Sequence, residues 1–176
     1  MVSNERDKPT LYIMLGWPGA GKTTSSKVIC ELTGAVHVWA DKVRREMFKT
    51  PKFTQSENDL LYNRLNEEAA NLLNAGESVV FDTSFNHRED REQMRRLAKE
   101  ANANYVLIWV KSPESTARIR ATQDAHIQPA RPQGDMSDQD FDRLISKLEI
   151  PTDNEEFIEL DGTKITDKYV AKMLML

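Results

Sequence analysis

Residues 16–23 read Gly16-Trp17-Pro18-Gly19-Ala20-Gly21-Lys22-Thr23, and this stretch guides how the rest of the chain is interpreted. It matches G-x-x-x-x-G-K-[ST], the pattern of a loop whose backbone N–H groups surround a polyphosphate. Glycine is needed because a side chain at those positions would block the close approach of the phosphates. In such a loop we expect Lys22 to reach the β- and γ-phosphates and the Thr23 hydroxyl to bind Mg²⁺.

The residues on either side of this loop have the patterns of a buried strand and a helix. Leu11–Leu15 is a short apolar run bounded by Pro9, and Lys22–Leu32 has helical periodicity that ends near Gly34. A turn that binds nothing could give the same match, but strand, loop and helix in this order is the setting that phosphate binding requires. The sequence therefore predicts a nucleotide-phosphate site formed by Gly16, Pro18, Gly19, Ala20, Gly21, Lys22, Thr23 and Thr24.

Composition and charge indicate a single domain without a membrane span or a broad nucleic-acid surface. The chain has 176 residues, which predicts one domain over residues 1–176, and 24 basic against 28 acidic residues give a net charge of −4. This balance argues against a broad surface for long duplex nucleic acid but is compatible with a local basic groove for a short end. No apolar run reaches transmembrane length and Met1–Lys8 is polar, so we expect no membrane partner and a cytoplasmic location. The sequence does not indicate an oligomeric state.

Strand patterns alternate with helix patterns along the chain. After the first strand, strands are predicted at Val36–Trp39, Ser78–Phe81, Tyr105–Val110 and Phe157–Leu160. After the first helix, helices are predicted at Lys42–Phe48, Ser56–Ala75, Asn86–Asn102, Pro113–Arg120, Ser137–Leu148 and Lys168–Leu174. Alternation of this kind is typical of an α/β protein with a parallel five-stranded sheet covered by helices on both faces.

In such a sheet the ligand lies beyond the carboxyl ends of the strands. The residues that directly follow the predicted strands are the Gly16 loop, Asp41, Asp82–Ser84 and Lys111-Ser112. We therefore expect all of them to meet at one rim, and we expect the segment from Phe48 to Tyr62 to border the acceptor pocket.

Asp41 is the candidate for a general base. Arg44 follows it by three residues, which one helical turn places on the same face. An aspartate near a triphosphate could accept the proton of an attacking hydroxyl, and Arg44 could orient that aspartate or bind an anion of the acceptor. The alternative is that Asp41 only caps the helix that begins there.

Asp82 is the candidate for a carboxylate near the metal. It ends the apolar run Val79-Val80-Phe81, where a carboxylate could hold Mg²⁺ through water or contact the acceptor, with Ser84 beside it. The alternative is an aspartate that forms a turn with its own backbone near Ser84. We expect His37 to be structural or on the surface.

The stretch from about residue 118 to 136 has the composition of a short lid. It contains Arg118, Arg120 and Arg131, and an arginine that closes over the phosphates could supply about 10³–10⁵ in rate. We assign the catalytic role to Arg118 and nucleotide binding to Arg120 and Arg131.

Three motifs together resemble the P-loop kinase family that includes phage polynucleotide 5′-kinase, chloramphenicol phosphotransferase and the zeta-type toxins. They are Gly16–Thr24, Asp41-x-x-Arg44 and Gly76–Phe85, and the resemblance runs from Leu11 to about Pro151. It implies ATP as the phosphoryl donor, with Mg²⁺, Asp41 as general base, Arg44 at the acceptor site and Asp82 in the active site. The chain differs from the family pattern in having Phe85 where an asparagine is usual, and in having Arg120 only two residues after Arg118.

These observations favour an ATP- and Mg²⁺-dependent phosphotransferase that acts on a hydroxyl. The first candidate acceptor is the 5′-OH of a polynucleotide or nucleoside, and the second is a small molecule such as an antibiotic or a sugar nucleotide. A GTP-binding switch is a less favoured alternative, because Thr163-Lys164-Ile165-Thr166 lacks the aspartate of a guanine-reading motif. A ring motor or a non-enzymatic nucleic-acid binder is a further alternative. The chain is short for a ring motor and has no evident aromatic and basic surface.

Overall fold

The computed structural model of the chain describes residues 8–123, 136–152 and 154–176. Its five strands are β1 Thr10–Leu15, β2 Val36–Trp39, β3 Val79–Asp82, β4 Asn104–Lys111 and β5 Phe157–Asp161. The helices between and after them are α1 Lys22–Thr33, α2 Ala40–Met47, α3 Gln55–Asn74, α4 Arg88–Glu100, α5 Glu114–Thr122, α6 Asp138–Ile145 and α7 Asp167–Leu174. Each predicted strand and helix is present, with ends that differ by a few residues.

The five strands form one parallel sheet in the order β2-β3-β1-β4-β5. β1 lies in the centre, where Leu11 is level with Val79 of β3 and with Tyr105 of β4. β2 pairs with β3, and β5 pairs with β4, again in parallel. Because all strands run in one direction, the loops after β1, β2, β3 and β4 meet at one rim. The predicted P-loop α/β fold with a parallel five-stranded sheet is therefore confirmed.

Helices cover both faces of this sheet. On one face the strands pack against α3 and α4 through a cluster that includes Phe81, Leu65 and Met94. On the other face a second cluster includes Ile29 of α1 and Val170 of α7. Fully buried side chains of this type contribute about 1.5–3 kcal/mol each. The two clusters therefore hold the strands in place from both faces. The loops at the rim are not needed for this packing and can carry polar groups.

The helix ends differ in places from the predicted ones. Thr54, and not Ser56, caps α3, because its side chain accepts a hydrogen bond from the backbone N–H of Glu57. Ser137 caps α6 as predicted. α2 begins earlier than predicted, with Trp39 at its N-cap, so Asp41 lies inside the first turn.

A buried ion pair joins α4 to the turn before β5. Arg91 is 1% exposed and donates from Nε and Nη2 to the two carboxylate oxygens of Glu155, at 2.7 and 2.8 Å. Its Nη1 donates to the backbone oxygens of Phe85 and Asn86, at 3.1 and 3.2 Å. The pair thereby holds the loop that follows β3, which is part of the rim.

Among the helices that the structure describes, we find none whose length and apolar character would suit a membrane span.

Candidate active site

The phosphate loop is built from backbone conformations that favour glycine. Gly16, Gly19 and Gly21 have φ values of 149°, 75° and 108°. A Cβ atom at Gly16 would collide with the backbone oxygen of Val110, and one at Gly19 with that of Ala117. The glycines therefore let the loop lie directly against β4 and α5, with its N–H groups available to an anion.

A second turn supports the loop from the side of β5. A Cβ atom at Gly162 would collide with the backbone oxygen of Ala20, so the two backbones are in direct contact. Ser112 Oγ also donates to Ala20 O at 3.0 Å, and Arg120 Nη1 donates to Gly162 O at 3.1 Å. Hydrogen bonds from Thr163, with the ammonium of Lys164, lower the pKa of Asp161 to about 2, so this turn carries a carboxylate at neutral pH.

Lys22 lies across the mouth of this loop. Its Nζ donates to the backbone oxygens of Gly16 and Trp17, at 2.9 Å each. Thr23 is half-buried and Thr24 is exposed at the start of α1. These positions give α1 an N-terminus that faces the loop, where its partial positive charge favours phosphate.

The loop opens into a cleft of about 1510 Å³ that reaches α3 and α6. Apart from Gly16 and Ala20, the predicted residues of the phosphate loop line it. Asp41, Asp82, Ser84 and Arg120 also line it, so the structure brings these four together with the loop. A cleft larger than the usual 300–1,000 Å³ of a single-ligand pocket has room for a nucleotide and a second substrate.

Asp41 faces this cleft from the first turn of α2. Trp39 is the N-cap residue, so the alternative that Asp41 is simply the cap is wrong. Arg44 is buried and does not line the cleft. Its Nη2 donates to Asn58 Oδ1 at 2.7 Å, and its guanidinium stacks on the Phe53 ring with Cζ 4.6 Å from the ring centre.

Asp82 is 3% exposed at the end of β3. His37 Nε2 lies 3.0 Å from its Oδ2, and the imidazole also stacks on Trp39. His37 is therefore a neighbour of the candidate metal carboxylate, a contact that the sequence pattern does not reveal. Ser84 is exposed and borders the cleft.

The donor set fits Mg²⁺ better than a metal held wholly by protein. Among residues 8–123, 136–152 and 154–176 there is no group of three or more His, Cys, Asp or Glu side chains that could enclose an ion. Mg²⁺ is usually held by one or two protein oxygens together with water and substrate phosphates. The Thr23 hydroxyl and the Asp82 carboxylate, both on the cleft, are such oxygens.

The three arginines of the predicted lid differ in their surroundings, and residues 124–135 of that segment lie outside the described residues. Arg118 does not line the cleft; it donates to Glu114, Asp138 and Asp142, and it stacks on the Phe141 ring with Cζ 4.5 Å from the ring centre. The hydrogen bonds with Glu114, Asp142 and Asp138 raise the pKa of Arg118, and the contacts with Asp138, Asp142 and Phe141 connect α5 to α6. Arg120 lines the cleft, and Arg131 lies outside the described residues. Of the two arginines in α5, Arg118 and Arg120, only Arg120 therefore lines the cleft with the phosphate loop.

Several lining residues were not singled out by sequence reasoning. The segment from Phe48 to Tyr62 borders the cleft as expected, but its individual side chains carry no motif. Asn86, Arg143 and Lys147 also line the cleft, and burial raises the pKa of Asp90 on the same wall. The helical spacing of residues 55, 58, 59, 62 and 66 is the one signal that could have identified the α3 wall, because it marks a single polar face.

Comparison with known families places this chain in one of them. A family model described as AAA domain matches residues 11–150. An uncharacterized protein from Mycobacterium tuberculosis is 32% identical over 138 residues, which cover 68% of this chain. The chain spans only 28% of the length of that relative. L-seryl-tRNA(Sec) kinase of Methanococcus maripaludis is 27% identical over 107 residues, covering 58% of this chain and 41% of that protein.

Solved structures show the same fold at low identity. The APS kinase of Mycobacterium tuberculosis in complex with AMPPNP and APS has a TM-score of 0.67 at 14% identity, covering 96% of both chains. A gluconokinase from Sinorhizobium meliloti has a TM-score of 0.66 at 19% identity, covering 95% and 90%. A chain of the Pnkp1/Rnl/Hen1 RNA repair complex has a TM-score of 0.68 at 18% identity, covering 84% of this chain and 46% of that one. The chain therefore belongs to the AAA domain family, and its fold is that of the P-loop kinases.

Proposed function

We propose that this protein is an ATP- and Mg²⁺-dependent phosphotransferase that moves the γ-phosphoryl group of ATP to an acceptor hydroxyl. The observation that carries the proposal is the single cleft in which a glycine-built phosphate loop, Asp41 and Asp82 meet. A phosphate site alone would suit any nucleotide-binding protein. The carboxylates at the ends of β2 and β3 add the groups that phosphoryl transfer needs.

The chain supplies positioning and charge to the phosphates. The N–H groups of the loop and the N-terminus of α1 surround the β- and γ-phosphates, and Lys22 exchanges its bonds to Gly16 and Trp17 for phosphate oxygens. Mg²⁺, when bound by Thr23 and Asp82, neutralises charge on the same oxygens. Arg120 reaches the cleft from α5 and adds a further positive charge.

Asp41 acts on the acceptor. From the first turn of α2, its carboxylate takes the proton of the attacking hydroxyl as that oxygen bonds to the γ-phosphorus and ADP leaves. Such general-base help is worth about 10²–10⁴ in rate. Arg44, which lies one turn further along α2, supports the acceptor side through Asn58 and Phe53.

The 5′-OH of a polynucleotide or nucleoside is the first acceptor that we propose. It is supported by the resemblance to polynucleotide kinases and by the fold shared with a chain of the Pnkp1/Rnl/Hen1 RNA repair complex. The relative named L-seryl-tRNA(Sec) kinase supports an acceptor joined to RNA, although its name gives the seryl group and not a 5′-OH as the acceptor. A small-molecule acceptor is the second candidate, because the fold is shared with a gluconokinase and an APS kinase. The cleft is also not dominated by cations, since Asp41, Asp59, Asp82, Asp90 and Asp140 all line it.

The direct test follows γ-phosphate transfer from labelled ATP and Mg²⁺ to 5′-OH oligonucleotides, nucleosides and gluconate. Lys22→Ala should abolish transfer, because it removes the charge at the phosphates. Asp41→Asn should bind ATP nearly as well as the wild type but transfer about 10²–10⁴ times more slowly, because it keeps the shape and loses the base. Unchanged turnover in Lys22→Ala would remove the phosphate loop from the reaction. If Asp41→Asn lost ATP affinity in proportion to activity, Asp41 would not be the base.

A further inference from the structure

We propose that Phe53, Asn58 and Tyr62, with Arg44 packed against Phe53, form a ring subsite that binds a planar heterocyclic ring of the acceptor. This inference rests on the proposed phosphotransfer and names the acceptor class as a nucleoside, free or at the end of a strand. The loop before α3, the buried guanidinium of α2 and the polar face of α3 each contribute an independent observation.

Phe53 is held where its ring faces the cleft. The residue is 37% exposed, lines the cleft and has a φ of 56°, in the left-handed region that disfavours a bulky side chain. The backbone N–H groups of Lys52 and Phe53 both donate to Glu57 Oε2, at 2.8 Å each. Glu57 therefore clamps the loop in this conformation. Backbone strain on a residue other than glycine is concentrated at ligand-binding sites.

Arg44 lies against this ring and has unused hydrogen-bonding capacity. The residue is 6% exposed, and its Nη1 is buried with no hydrogen-bond partner. Nη2 donates to Asn58 Oδ1 at 2.7 Å, and Cζ of the guanidinium lies over the Phe53 ring, 4.6 Å from its centre. A buried donor without an acceptor is costly, so Arg44 is held here by its contacts with Asn58 and Phe53. These contacts fix the aromatic face of Phe53 and the amide of Asn58 beside each other at the cleft.

The neighbouring face of α3 is polar and carries no cation. Gln55, Asn58, Asp59, Tyr62 and Asn66 line the cleft at helical spacing. Tyr62 is 38% exposed, and its hydroxyl lies 3.2 Å from Thr83 Oγ1, which ties α3 to the loop after β3. Amide and phenol groups can hydrogen-bond the edge of a base but cannot neutralise a phosphodiester. This wall therefore suits the base beside the reacting hydroxyl, whereas a polyol acceptor would offer no planar face to Phe53.

The test compares the four ribonucleosides with methyl β-D-ribofuranoside, which has the ribose hydroxyls but no base. Binding is measured by equilibrium dialysis with a saturating non-hydrolysable ATP analogue in the donor site, and transfer is measured with labelled ATP. We expect at least one nucleoside to bind about tenfold more tightly than the riboside. Phe53→Ala should remove that advantage and leave the KM for ATP unchanged, and Phe53→Trp should restore it because it returns a planar ring.

Two further variants serve as controls. One tests whether any apolar side chain at position 53 is enough for binding, and the other tests whether a substitution in α3 disturbs binding in general. Phe53→Leu keeps an apolar side chain without a planar face and should behave like Phe53→Ala. Leu60→Ala is the control, because Leu60 is an exposed apolar residue of α3, the helix that follows Phe53, and does not line the cleft. It should bind nucleosides like the wild type.

The ring subsite is wrong if no nucleoside binds better than the riboside, or if Phe53→Ala binds nucleosides as well as the wild type does. Nucleoside binding without phosphate transfer would contradict only the proposed function. If nucleosides bind in a Phe53-dependent way but the wild type transfers phosphate to none of the acceptors, the subsite stands and the phosphotransfer proposal fails.

Discussion

At the scale of single residues, Arg118 and Arg120 show how two arginines of one helix acquire different roles. They are two residues apart, so they point to different sides of α5. Three carboxylates occupy the guanidinium of Arg118, one from α5 and two from α6, whereas Arg120 reaches the cleft. From the sequence, we assign the catalytic role to Arg118. That assignment cannot take account of its ion pairs, because spacing alone does not reveal which arginine already has carboxylate partners.

We expect Arg120→Ala to lower kcat by about 10³-fold, because it removes positive charge beside the phosphates. Arg118→Ala should instead lower the Tm and change kcat little, since its ion pairs with Asp138 and Asp142 connect α5 to α6. Steady-state kinetics and thermal unfolding of the two variants check this. A variant of Arg118 that kept its Tm and lost kcat would restore the assignment made from the sequence.

Asp82 shows a second limit of residue patterns. Its position at a strand end follows from the apolar run before it, but its partner does not. His37 lies 45 positions earlier in the chain and reaches Asp82 only because β2 and β3 are neighbours, with Trp39 level with Asp82. Contacts of this kind depend on strand order, which periodicity does not encode.

At the scale of elements, the phosphate loop, its strand and its helix could be predicted closely because each has a local cause. Gly34 ends α1 with a φ of 73°, and Ser137 caps α6 through its side chain. The start of α2 could not be predicted, since Trp39 at its N-cap makes no side-chain hydrogen bond. The wall of α3 was expected only as a segment, because the roles of its residues depend on what faces them.

The Arg91–Glu155 pair predicts a pH-dependent stability of α4 and the turn before β5. Hydrogen bonds from Arg91 lower the pKa of Glu155, so its contribution is present above the ordinary glutamate pKa and is lost as the pH falls through the lowered value. Glu155→Ala leaves the buried Arg91 charge unpaired and should cost about 3–5 kcal/mol near neutral pH.

Urea unfolding at a series of pH values measures this effect. The difference in unfolding free energy between the wild type and Glu155→Ala should shrink as the pH falls below about 4. The exposed neighbour Glu156 provides the control, and Glu156→Ala should stay close to the wild type throughout. An equal loss at low and neutral pH would mean that the carboxylate charge is not what stabilises the pair.

At the scale of the whole molecule, the fold class follows from the alternation of strand and helix patterns along the chain. The position of the site follows from the common direction of the strands. Five parallel strands put the loops after β1, β2 and β3 at one rim, which is where the cleft lies. That much could be predicted from the sequence. The side-by-side order of the strands, the buried position of Arg44 and the support that Gly162 gives to the phosphate loop could not, because each arises from contacts between distant parts of the chain.

The positive φ of Phe53 implies that this residue lowers the stability of the backbone while it supplies the ring for ligand binding. Phe53→Gly relieves the backbone strain and keeps the N–H group that bonds Glu57, so it should be more stable than Phe53→Ala by about 1 kcal/mol. The same change would remove the ring that we propose to bind a base. Chemical unfolding of the two variants, read beside their nucleoside affinity, checks this. A difference of this size would show that the backbone at position 53 is under strain in the wild type, and that Phe53 is kept there for its ring.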